Sequence, residues 1–402
     1  MNLRALLLVS LVPAGWSSGC DDTDSPPVDT TPGVTITIAT VTPAALVAFR
    51  DGLDGPWQAA SMKSPSMFEA EVHGPYVVTI VCQDPSRGLY STFQLANTPD
   101  DDRALMQTCD YTFPTRVPVT GHMVQAGRVQ IEDALRTSST ADWDFNLSVL
   151  GGTHDLMALA ADQIVLRRAL SFTGATTVTP QIDVTREGTP LADVAFTATN
   201  ATPTETLVAA VSLEKATSLL QIFSGPIATA KVAPDSVLLP ADAQTVSIQA
   251  SAGTSLRSLR RPFRVGGNTE YTLPAPVVGA KWEVAAGNLS ASWSAIPDFS
   301  VFSIDVSGAS DPSKFQNQYL FLSPRFVAAT GITSATIDTD IPGFKPEWRV
   351  SFTRSYYRRM FVQRVVDTEI SSSMVSEQIT ALTALASPAG DRPLPHERIA
   401  PP

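Results

Sequence analysis

The stretch Val34-Thr35-Ile36-Thr37-Ile38 alternates apolar and polar side chains with a period of two residues. This alternation is typical of a β-strand with one face on a core and the other in solvent. Similar short patterns recur along the chain between Gly, Pro, Asn and Asp residues, whereas sustained helical periodicity is scarce. The sequence therefore predicts an all-β fold of tandem β-sandwich domains. Further strands are predicted at 68–72, 76–81, 145–149, 246–250, 289–293, 302–306 and 349–353.

The composition limits the class of protein. Charged residues make up 17% of the 402 residues, and the formal net charge is -11. This acidic balance argues against nucleic-acid binding, which needs a surplus of Lys and Arg to neutralise phosphates. After the N-terminal region, no stretch reaches the eighteen or so apolar residues that a membrane-spanning helix requires. The sequence therefore predicts a soluble body.

The N-terminus has the pattern of an export signal. Arg4 precedes an apolar segment at 5–12, which is too short to span a bilayer, and small residues follow at 17–19. Cleavage is expected before Cys20, so residues 1–19 are predicted to be a signal peptide. Residues 20–33 are rich in Asp, Pro and Thr and predict a disordered linker.

The segment Ser17-Ser18-Gly19-Cys20 resembles the lipobox of bacterial lipoproteins. The resemblance implies lipidation of Cys20 with diacylglycerol and palmitate-type acyl chains, and hence a membrane anchor. Ser17 departs from the pattern, because an aliphatic residue is usual there, and an ordinary signal peptidase could instead leave Cys20 as a free thiol. The expected location is the bacterial cell envelope, at the outer membrane in preference to the inner membrane. Asp21 resembles the inner-membrane retention signal of enteric bacteria, so the choice of membrane stays open.

The other two cysteines predict a disulfide. Of three cysteines in the chain, Cys20 is assigned to lipidation, which leaves Cys82 and Cys109 to pair in an oxidising compartment. A bridge closing this loop stabilises the fold by roughly 3–4 kcal/mol in the chain-entropy model. A zinc site is not favoured, because only His73 lies near the two cysteines in sequence. No metal and no cofactor are expected.

Composition and pattern divide the chain into segments. Residues 34–116 are expected to form a β-sandwich with the disulfide and a short helix at 101–107. Residues 213–223 are compatible with either one helix or two strands. The predicted units are a β-sandwich at 34–116, a second at 117–200, a β-rich segment of uncertain extent at 201–276, a third sandwich at 277–375 and a proline-rich tail at 376–402.

Two of these segments resemble known modules. VTGHMV at 119–124, with the patterns at 127–131, 143–149 and 151–156, resembles the carboxypeptidase-regulatory, transthyretin-like sandwich. NLSASW at 288–293, followed by FSIDV and by IPGFKPEWRV at 341–350, resembles a fibronectin type III module. The second resemblance implies that Trp293 is a core residue and that a strand starts near Trp348.

No catalytic residue is predicted. A hydrolase needs a nucleophile, a base and a group that orients the base, and none of the four histidines stands in a recognisable catalytic signature. His154-Asp155 is adjacent in sequence, and such neighbours in a turn point in different directions. We expect that pair to serve a turn.

Basic residues beside tyrosines suggest a binding patch. Guanidinium groups and tyrosines are typical of binding hot spots, and an envelope protein or an acidic polysaccharide is the expected partner. The alternative is that both clusters are the solvent-facing sides of two strands. The candidate residues are Arg260, Arg261, Arg264, Tyr356, Tyr357, Arg358 and Arg359.

These patterns together predict a non-catalytic cell-envelope lipoprotein with a structural, adhesive or binding role. One alternative is an extracellular enzyme that uses the sandwiches as accessory domains and has its catalytic centre between 200 and 276. Another is a substrate-binding subunit of a transport or secretion assembly. A deep cleft with convergent polar groups favours the alternatives, whereas flat sheets with exposed aromatic side chains favour adhesion.

Overall fold

A computed structural model describes residues 33–101, 104–107, 109, 115–174, 177–214, 219–240, 242–285, 288–294, 299–311, 314–350 and 357–378. Strands dominate these residues and the helices are short, so the predicted all-β, sandwich-like fold is confirmed. The predicted signal peptide, Cys20, Tyr356 and the chain from 379 onward lie outside the described residues.

The strands follow the chain in three groups. Up to residue 107 they are β1 (Val34–Thr40), β2 (Leu46–Asp51), β3 (Gln58–Ala59), β4 (Ser61–Ser64), β5 (Met67–Val72), β6 (Tyr76–Asp84), β7 (Leu89–Asn97) and β8 (Ala104–Gln107). From 116 to 199 they are β9 (Arg116–Met123), β10 (Gly127–Ile131), β11 (Ala134–Ser138), β12 (Trp143–Leu150), β13 (Gly152–Ala160), β14 (Gln163–Phe172), β15 (Thr177–Val178), β16 (Thr189–Pro190), β17 (Ala192–Val194) and β18 (Thr197–Thr199). Beyond 200 they are β19 (Thr206–Glu214), β20 (Leu219–Pro226), β21 (Ala230–Val232), β22 (Ala243–Ala252), β23 (Ser255–Pro262), β24 (Glu270–Thr272), β25 (Lys281–Ala285), β26 (Asn288–Ser292), β27 (Val301–Asp311), β28 (Lys314–Leu322), β29 (Ser334–Ile337), β30 (Tyr357–Val366) and β31 (Glu369–Gln378).

Two short α-helices interrupt the strands. Helix α1 is Val184–Glu187 and helix α2 is Pro324–Thr330. The Ser323 side chain accepts a hydrogen bond from the Phe326 N–H and so caps α2 at its start. Single 3₁₀ turns occur at Pro85–Arg87, Ile227–Thr229, Asp235–Val237 and Pro346–Trp348.

A twelve-stranded sheet organises the described part of the molecule. Its order is β20-β19-β22-β23-β31-β30-β27-β28-β7-β6-β2-β3, so it takes strands from the beginning, the third quarter and the end of the chain. All neighbours pair antiparallel except β28 and β7, which pair parallel with Phe315 opposite Leu89 and Leu322 opposite Ala96. The predicted division into separate domains stays a prediction, and this sheet crosses its boundaries.

Smaller sheets cover parts of the large sheet. The sheet β4-β5-β1-β8 packs on β2, β6 and β7, where Ile38 and Phe68 meet Ile80 and Phe93. On the opposite face, β25-β26-β29 covers β27, β28 and β30. There Trp293 is buried and its ring meets Phe302 edge-on at 4.6 Å, in the core position that the resemblance implied.

The middle of the chain forms a sandwich of its own. The sheets β11-β10-β13-β14-β16 and β12-β9-β15 enclose a core that includes Val119, Ile131, Phe145 and Phe172. Each strand places alternate side chains inward, and β12 has buried residues at Phe145, Leu147 and Val149 with exposed residues between them.

The segment that the sequence left ambiguous is β-structured where it is described. Within 213–223, Leu213 and Glu214 end β19, and Leu219 begins β20. The two strands pair with each other, which excludes one continuous helix. Their inward residues share a core with β22 and with the two-stranded sheets β17-β21 and β18-β24.

Two local predictions were wrong. Residues 104–107 form strand β8 and not a helix, because they pair in parallel with β1, which would otherwise be an open edge. Arg349 and Val350 are not in a strand, since a 3₁₀ turn at Pro346–Trp348 precedes them and buries Trp348 against Val81 and Tyr90. Residues 351–353 of that predicted strand are outside the described residues. Strand β31 also extends to Gln378, beyond the start of the predicted tail.

The predicted disulfide is present. Cys82 ends the buried stretch of β6, and its Cα lies 5.0 Å from that of Cys109 across the bond. Both residues are buried in the core beneath β1 and β5. The Thr42 hydroxyl donates to the Cys109 carbonyl at 2.7 Å, which fixes the chain as it enters the bridge.

Candidate functional site

The two halves of the predicted binding patch lie far apart along the large sheet. Arg260 of β23 is opposite Ile370 of β31, whereas Arg359 of β30 is opposite Ser376 of the same strand β31. Six residues of extended strand separate those two positions, which corresponds to about 20 Å. The predicted residues therefore do not form one patch.

Two arginines of the first half have structural partners. Arg261 stacks on the Tyr271 ring, with its guanidinium carbon 3.9 Å from the ring centroid, and donates to the Glu270 carbonyl at 2.6 Å. Arg264 donates to the Asp242 carbonyl at 3.1 Å, and its Nη1 lies 3.8 Å from Asp235 Oδ1. Both side chains hold neighbouring backbone in place.

Arg260 and Arg358 differ in their surroundings. Arg260 pairs with Glu214 at a partly exposed position. Arg358 alternates with Met360 and Val362 and so lies on the core face of β30, where it is buried. Burial lowers the pKa of Arg358, while the charge of Glu377, 3.8 Å away, raises it. Arg358 is thus unsuited to contact a partner.

Arg359 and Tyr357 lie on the opposite face of β30. Arg359 is directly across from Asp305 on β27, and its Nε donates to Asp305 Oδ2 at 2.6 Å. The guanidinium carbon of Arg359 lies 5.7 Å from the Tyr357 ring centroid and 5.6 Å from that of Phe361. The guanidinium of Arg359 therefore lies within cation–π distance of both rings on one surface.

The pairing registers show which side chains share this surface. One row runs across the sheet through Tyr319, Asp305, Arg359 and Ser376. The next row joins four apolar side chains, with one serine between the rings, in the order Phe321, Ser303, Phe361, Met374 and Leu256. We call the surface made by Tyr357, Arg359, Phe361, Met374 and Leu256, with Asp305 beneath it, the open face.

No described element packs over the open face. Phe361, Met374 and Leu256 are only partly buried and belong to none of the buried apolar clusters found among the described residues. Along the same rows, Tyr319 and Phe321 pack against the core under β1 and β5, where the covering sheet ends. Within the described part of the chain, the sheet is therefore covered at one end of these rows and uncovered at the other.

The ion pair of the open face is anchored from below. Asp305 is almost fully buried, with 3% of its side chain exposed, whereas Arg359 has 34% exposed. Burial raises the pKa of Asp305, although the charge of Arg359 opposes the rise. Burial, the largest single influence, lowers the pKa of Arg359, but the charge and hydrogen bond of Asp305 together with the two neighbouring tyrosines outweigh it, so the pKa lies above its usual value. Arg359 thus remains a fixed cation that can donate hydrogen bonds to a partner.

The described histidines serve structural contacts. His154 Nδ1 lies 2.9 Å from Glu132 Oε1, and its Nε2 lies 3.0 Å from the Leu150 carbonyl, so both nitrogens are engaged. Asp155 instead pairs with Arg168 at 2.9 Å. Both residues lie in strand β13, at an irregularity of its pairing with β14, so the prediction that the pair serves a turn was wrong. His122 bridges two aspartates, and His73 lies 3.3 Å from Asp51. His396 lies outside the described residues.

Sequence reasoning missed several members of the open face. Asp305 was assigned to a predicted strand with no role, and Phe361, Met374 and Leu256 drew no attention. A signal existed for part of this set, because the period of two places Tyr357, Arg359 and Phe361 on one face and Arg358 on the other. The contributions of β27, β31 and β23 depend on pairing between distant strands.

Two features are absent from the described residues. Their His, Cys, Asp and Glu side chains form no group of three or more suited to hold a metal ion. Their helices include none that is long and apolar enough to cross a membrane.

Neither a protein-family model nor a curated protein matches this chain. The resemblances to transthyretin-like and fibronectin type III modules stay predictions from the sequence.

Proposed function

We propose that this protein is an exported, lipid-anchored component of a bacterial cell envelope, with a non-catalytic role in binding or adhesion. The apolar segment at 5–12, the small residues before Cys20 and the acidic stretch after it support export and anchoring, with the outer membrane favoured. The Cys82–Cys109 bridge is in keeping with an oxidising compartment outside the cytoplasm.

The open face is the observation that carries the binding role. It combines partly exposed aromatic rings with a cation held in place by a buried carboxylate. Rigid rings provide contact area at a low cost in conformational entropy, and a fixed guanidinium provides directed hydrogen bonds. A sheet surface with this mixture suits the pyranose rings and acid groups of an envelope polysaccharide, which we propose as the partner.

Co-sedimentation with purified envelope polysaccharide tests this role. A double variant, Tyr357→Ala with Phe361→Ala, removes the rings but keeps the Arg359–Asp305 pair, which the fold needs. We expect it to bind about tenfold or more weakly, because two stacking side chains are lost. Val178→Ala is a matched control, since Val178 is 74% exposed on a different sheet.

The proposal fails if the double variant stays folded and binds as well as the unmodified protein. The assignment of a polysaccharide as the partner fails if the unmodified protein does not sediment with it. Binding to envelope proteins but not to polysaccharide would retain the adhesive role and change the partner.

A further inference from the structure

Strand β12 is an open edge of the middle sandwich. Its sheet has the order β12-β9-β15, so β12 pairs with a strand on one side only. With eight residues, it is long for an edge strand, and it contains neither proline nor glycine. Such an edge presents backbone groups that can pair with another chain.

The direction of the backbone groups follows from strand β9. The carbonyls of Thr120 and His122 accept from Thr179 and Ile182, on the side of β9 away from β12. The backbone groups of successive residues point to alternate sides of a strand. The residues of β9 that alternate with Thr120 and His122 therefore form backbone hydrogen bonds with the β12 residues opposite them. Asp144, Asn146 and Ser148 lie opposite His122, Thr120 and Pro118, so their own N–H and C=O groups point to the open edge.

Most of this edge has no partner among the described residues. The Ser148 carbonyl accepts from Arg116 Nη1 at 2.7 Å, and the Leu150 N–H donates to Glu132 Oε2 at 3.3 Å. These contacts close the edge at its C-terminal end. The outward backbone groups of Asp144 and Asn146 have no such contact in the described part of the chain.

The edge of the large sheet at β20, unlike the middle of β12, is covered by side chains. Strand β20 is its last strand, and side chains from β10 cover the backbone of β20. Gln130 Nε2 donates to the Leu219 carbonyl at 2.9 Å, Gln130 Oε1 accepts from the Gln221 N–H at 3.0 Å, and Arg128 donates to the Ile222 carbonyl. This edge is closed to further strands, whereas the middle of β12 is not.

A groove runs beside the open edge. It has a volume of about 540 Å³, with residues 136–138 of β11 on one side and Trp143, Asn146 and Ser148 of β12 on the other. Both β11 and β12 are edge strands of their sheets. The groove thus lies between the outer edges of two strands, and among the described residues the outward backbone groups of Asp144 and Asn146 are unpaired there.

The charge of the groove indicates what binds there. Arg136 is exposed and donates only to the neighbouring Leu135 carbonyl at 3.3 Å, with no ion pair in the described residues. The one acidic side chain of the groove, Asp144, is 2.9 Å from His122. Arg136 is therefore an exposed cation beside the open edge that can pair with a carboxylate of a bound segment.

We propose that β12 binds an extended segment of a partner polypeptide as an added strand, with an acidic side chain of that segment on Arg136. Backbone hydrogen bonds to Asp144 and Asn146 provide the affinity, and the ion pair selects the partner. A second copy of this chain fits less well, because each copy would bring its own β11 to the same narrow edge. The site is independent of the open face.

A synthetic peptide and an edge-blocking substitution test the inference. The probe is a labelled eight-residue peptide of alternating valine and threonine with one central glutamate, measured by fluorescence anisotropy. Asn146→Pro removes an N–H that points to the open edge and leaves the β9 pairing intact, and proline is tolerated at such positions. We expect Asn146→Pro to weaken binding by about tenfold or more, while Asn146→Ala changes it less than about twofold.

A second variant and a second peptide keep the test decisive if Asn146→Pro does not fold. Arg136→Glu leaves β12 untouched, and it should weaken the glutamate peptide more than a matched glutamine peptide. The inference would be overturned if Asn146→Pro binds the peptide as tightly as the unmodified protein does. It would also be overturned if Arg136→Glu weakens both peptides equally, or if no binding is seen at about 1 mM peptide. A dimer in sedimentation that Asn146→Pro abolishes would overturn it as well, by assigning the edge to a second copy.

Discussion

Arg257 shows at the scale of one residue how this fold uses charge. Its side chain is 1% exposed, and its Nε donates to Glu205 Oε1 at 2.9 Å. The remaining guanidinium donors reach the Pro274 and Asn200 carbonyls at 2.7 and 3.0 Å. The hydrogen bonds from Arg257 have the largest effect on the pKa of Glu205 and lower it, although burial acts in the opposite direction. The pair fastens two loops to strand β23.

Replacing Arg257 should therefore cost far more stability than replacing its neighbour on the same strand. Arg257→Ala leaves Glu205 buried without its cation, and we expect a loss of about 3–5 kcal/mol in the free energy of unfolding. Arg260→Ala, which breaks the partly exposed pair with Glu214, should cost less than about 1 kcal/mol. Urea unfolding of both variants measures the difference. Similar losses in the two variants would contradict this role for Arg257.

His122 makes stability depend on pH. Its Nδ1 is 2.9 Å from Asp144 Oδ1 and its Nε2 is 3.0 Å from Asp142 Oδ1, and these contacts, with Asp144 first, raise the pKa of His122 above 6.5. The folded state thus binds the proton more tightly than the unfolded state. The resulting stability is complete below the unfolded pKa and is lost as the pH rises through the higher folded pKa.

We therefore expect the urea midpoint of the unmodified protein to exceed that of His122→Gln at low pH. The difference between the two urea midpoints should narrow as the pH rises above 6.5 and through the folded pKa of His122. Parallel urea titrations across this range provide the measurement. A gap that is constant, or that widens with pH, would show that the proton of His122 does not stabilise the fold.

The candidate site was only partly predictable from single residues. Tyr357 and Arg359 were predicted to belong to one cluster of aromatic and basic residues, and they lie on one face of β30. Arg261 was grouped with them, although it stacks on Tyr271 on the other side of the sheet. Sequence neighbours carry no information about which distant residue will lie opposite on the paired strand. That distant residue decides whether the side chain of an arginine is free to bind a partner.

At the scale of elements, the disulfide ties strand β6 of the large sheet to the chain just after β8 of the covering sheet. Cys82 ends the buried part of β6, and Cys109 follows β8, 27 residues later. The double variant Cys82→Ala with Cys109→Ala should lose about 3–4 kcal/mol of unfolding free energy, because the unfolded chain regains the entropy of that loop. Cys20→Ser is the matched control and should not change the urea midpoint. A double variant as stable as the control would mean that the bridge contributes nothing.

Strand prediction succeeded where alternation was strong and failed where a partner decided the outcome. The alternating patterns at 34–38 and 145–149 are strands, and their inward residues are buried. Residues 104–107 carry no clear period, and they become a strand because β1 offers them an edge. The aromatic residue Trp348 resembles a strand start in sequence but fills a pocket beside Val81 and Tyr90 through a 3₁₀ turn.

At the scale of the whole molecule, the first and last parts of the chain share one sheet and one core. Strand β28 pairs with β7, more than two hundred residues earlier, and Val77 and Ala96 lie in the core with Trp293 and Phe302. Arg50 and Trp57 also both donate to Asp338 Oδ2, at 3.1 and 2.9 Å. Local patterns cannot predict such pairing, because the period of two does not specify which strand will be the neighbour.

A fragment of residues 277–378 should consequently fail to fold alone. Removed from β7 and β23, its part of the sheet has two unpaired edges, and its core lacks Val77 and Ala96. We expect a poorly dispersed proton NMR spectrum for the fragment and a well dispersed one for residues 33–378. A fragment that unfolds cooperatively would show that residues 277–378 form an independent unit.

The proposed function requires that the mature protein begins at Cys20 and is held in the envelope by lipid. Intact-mass analysis of the protein purified from its own cells tests it most directly. We expect a chain that lacks residues 1–19 and carries the added mass of a diacylglycerol and an acyl chain, and Cys20→Ser should abolish the addition. A chain that retains Met1, or one that begins at Cys20 with a free thiol, would contradict the claim.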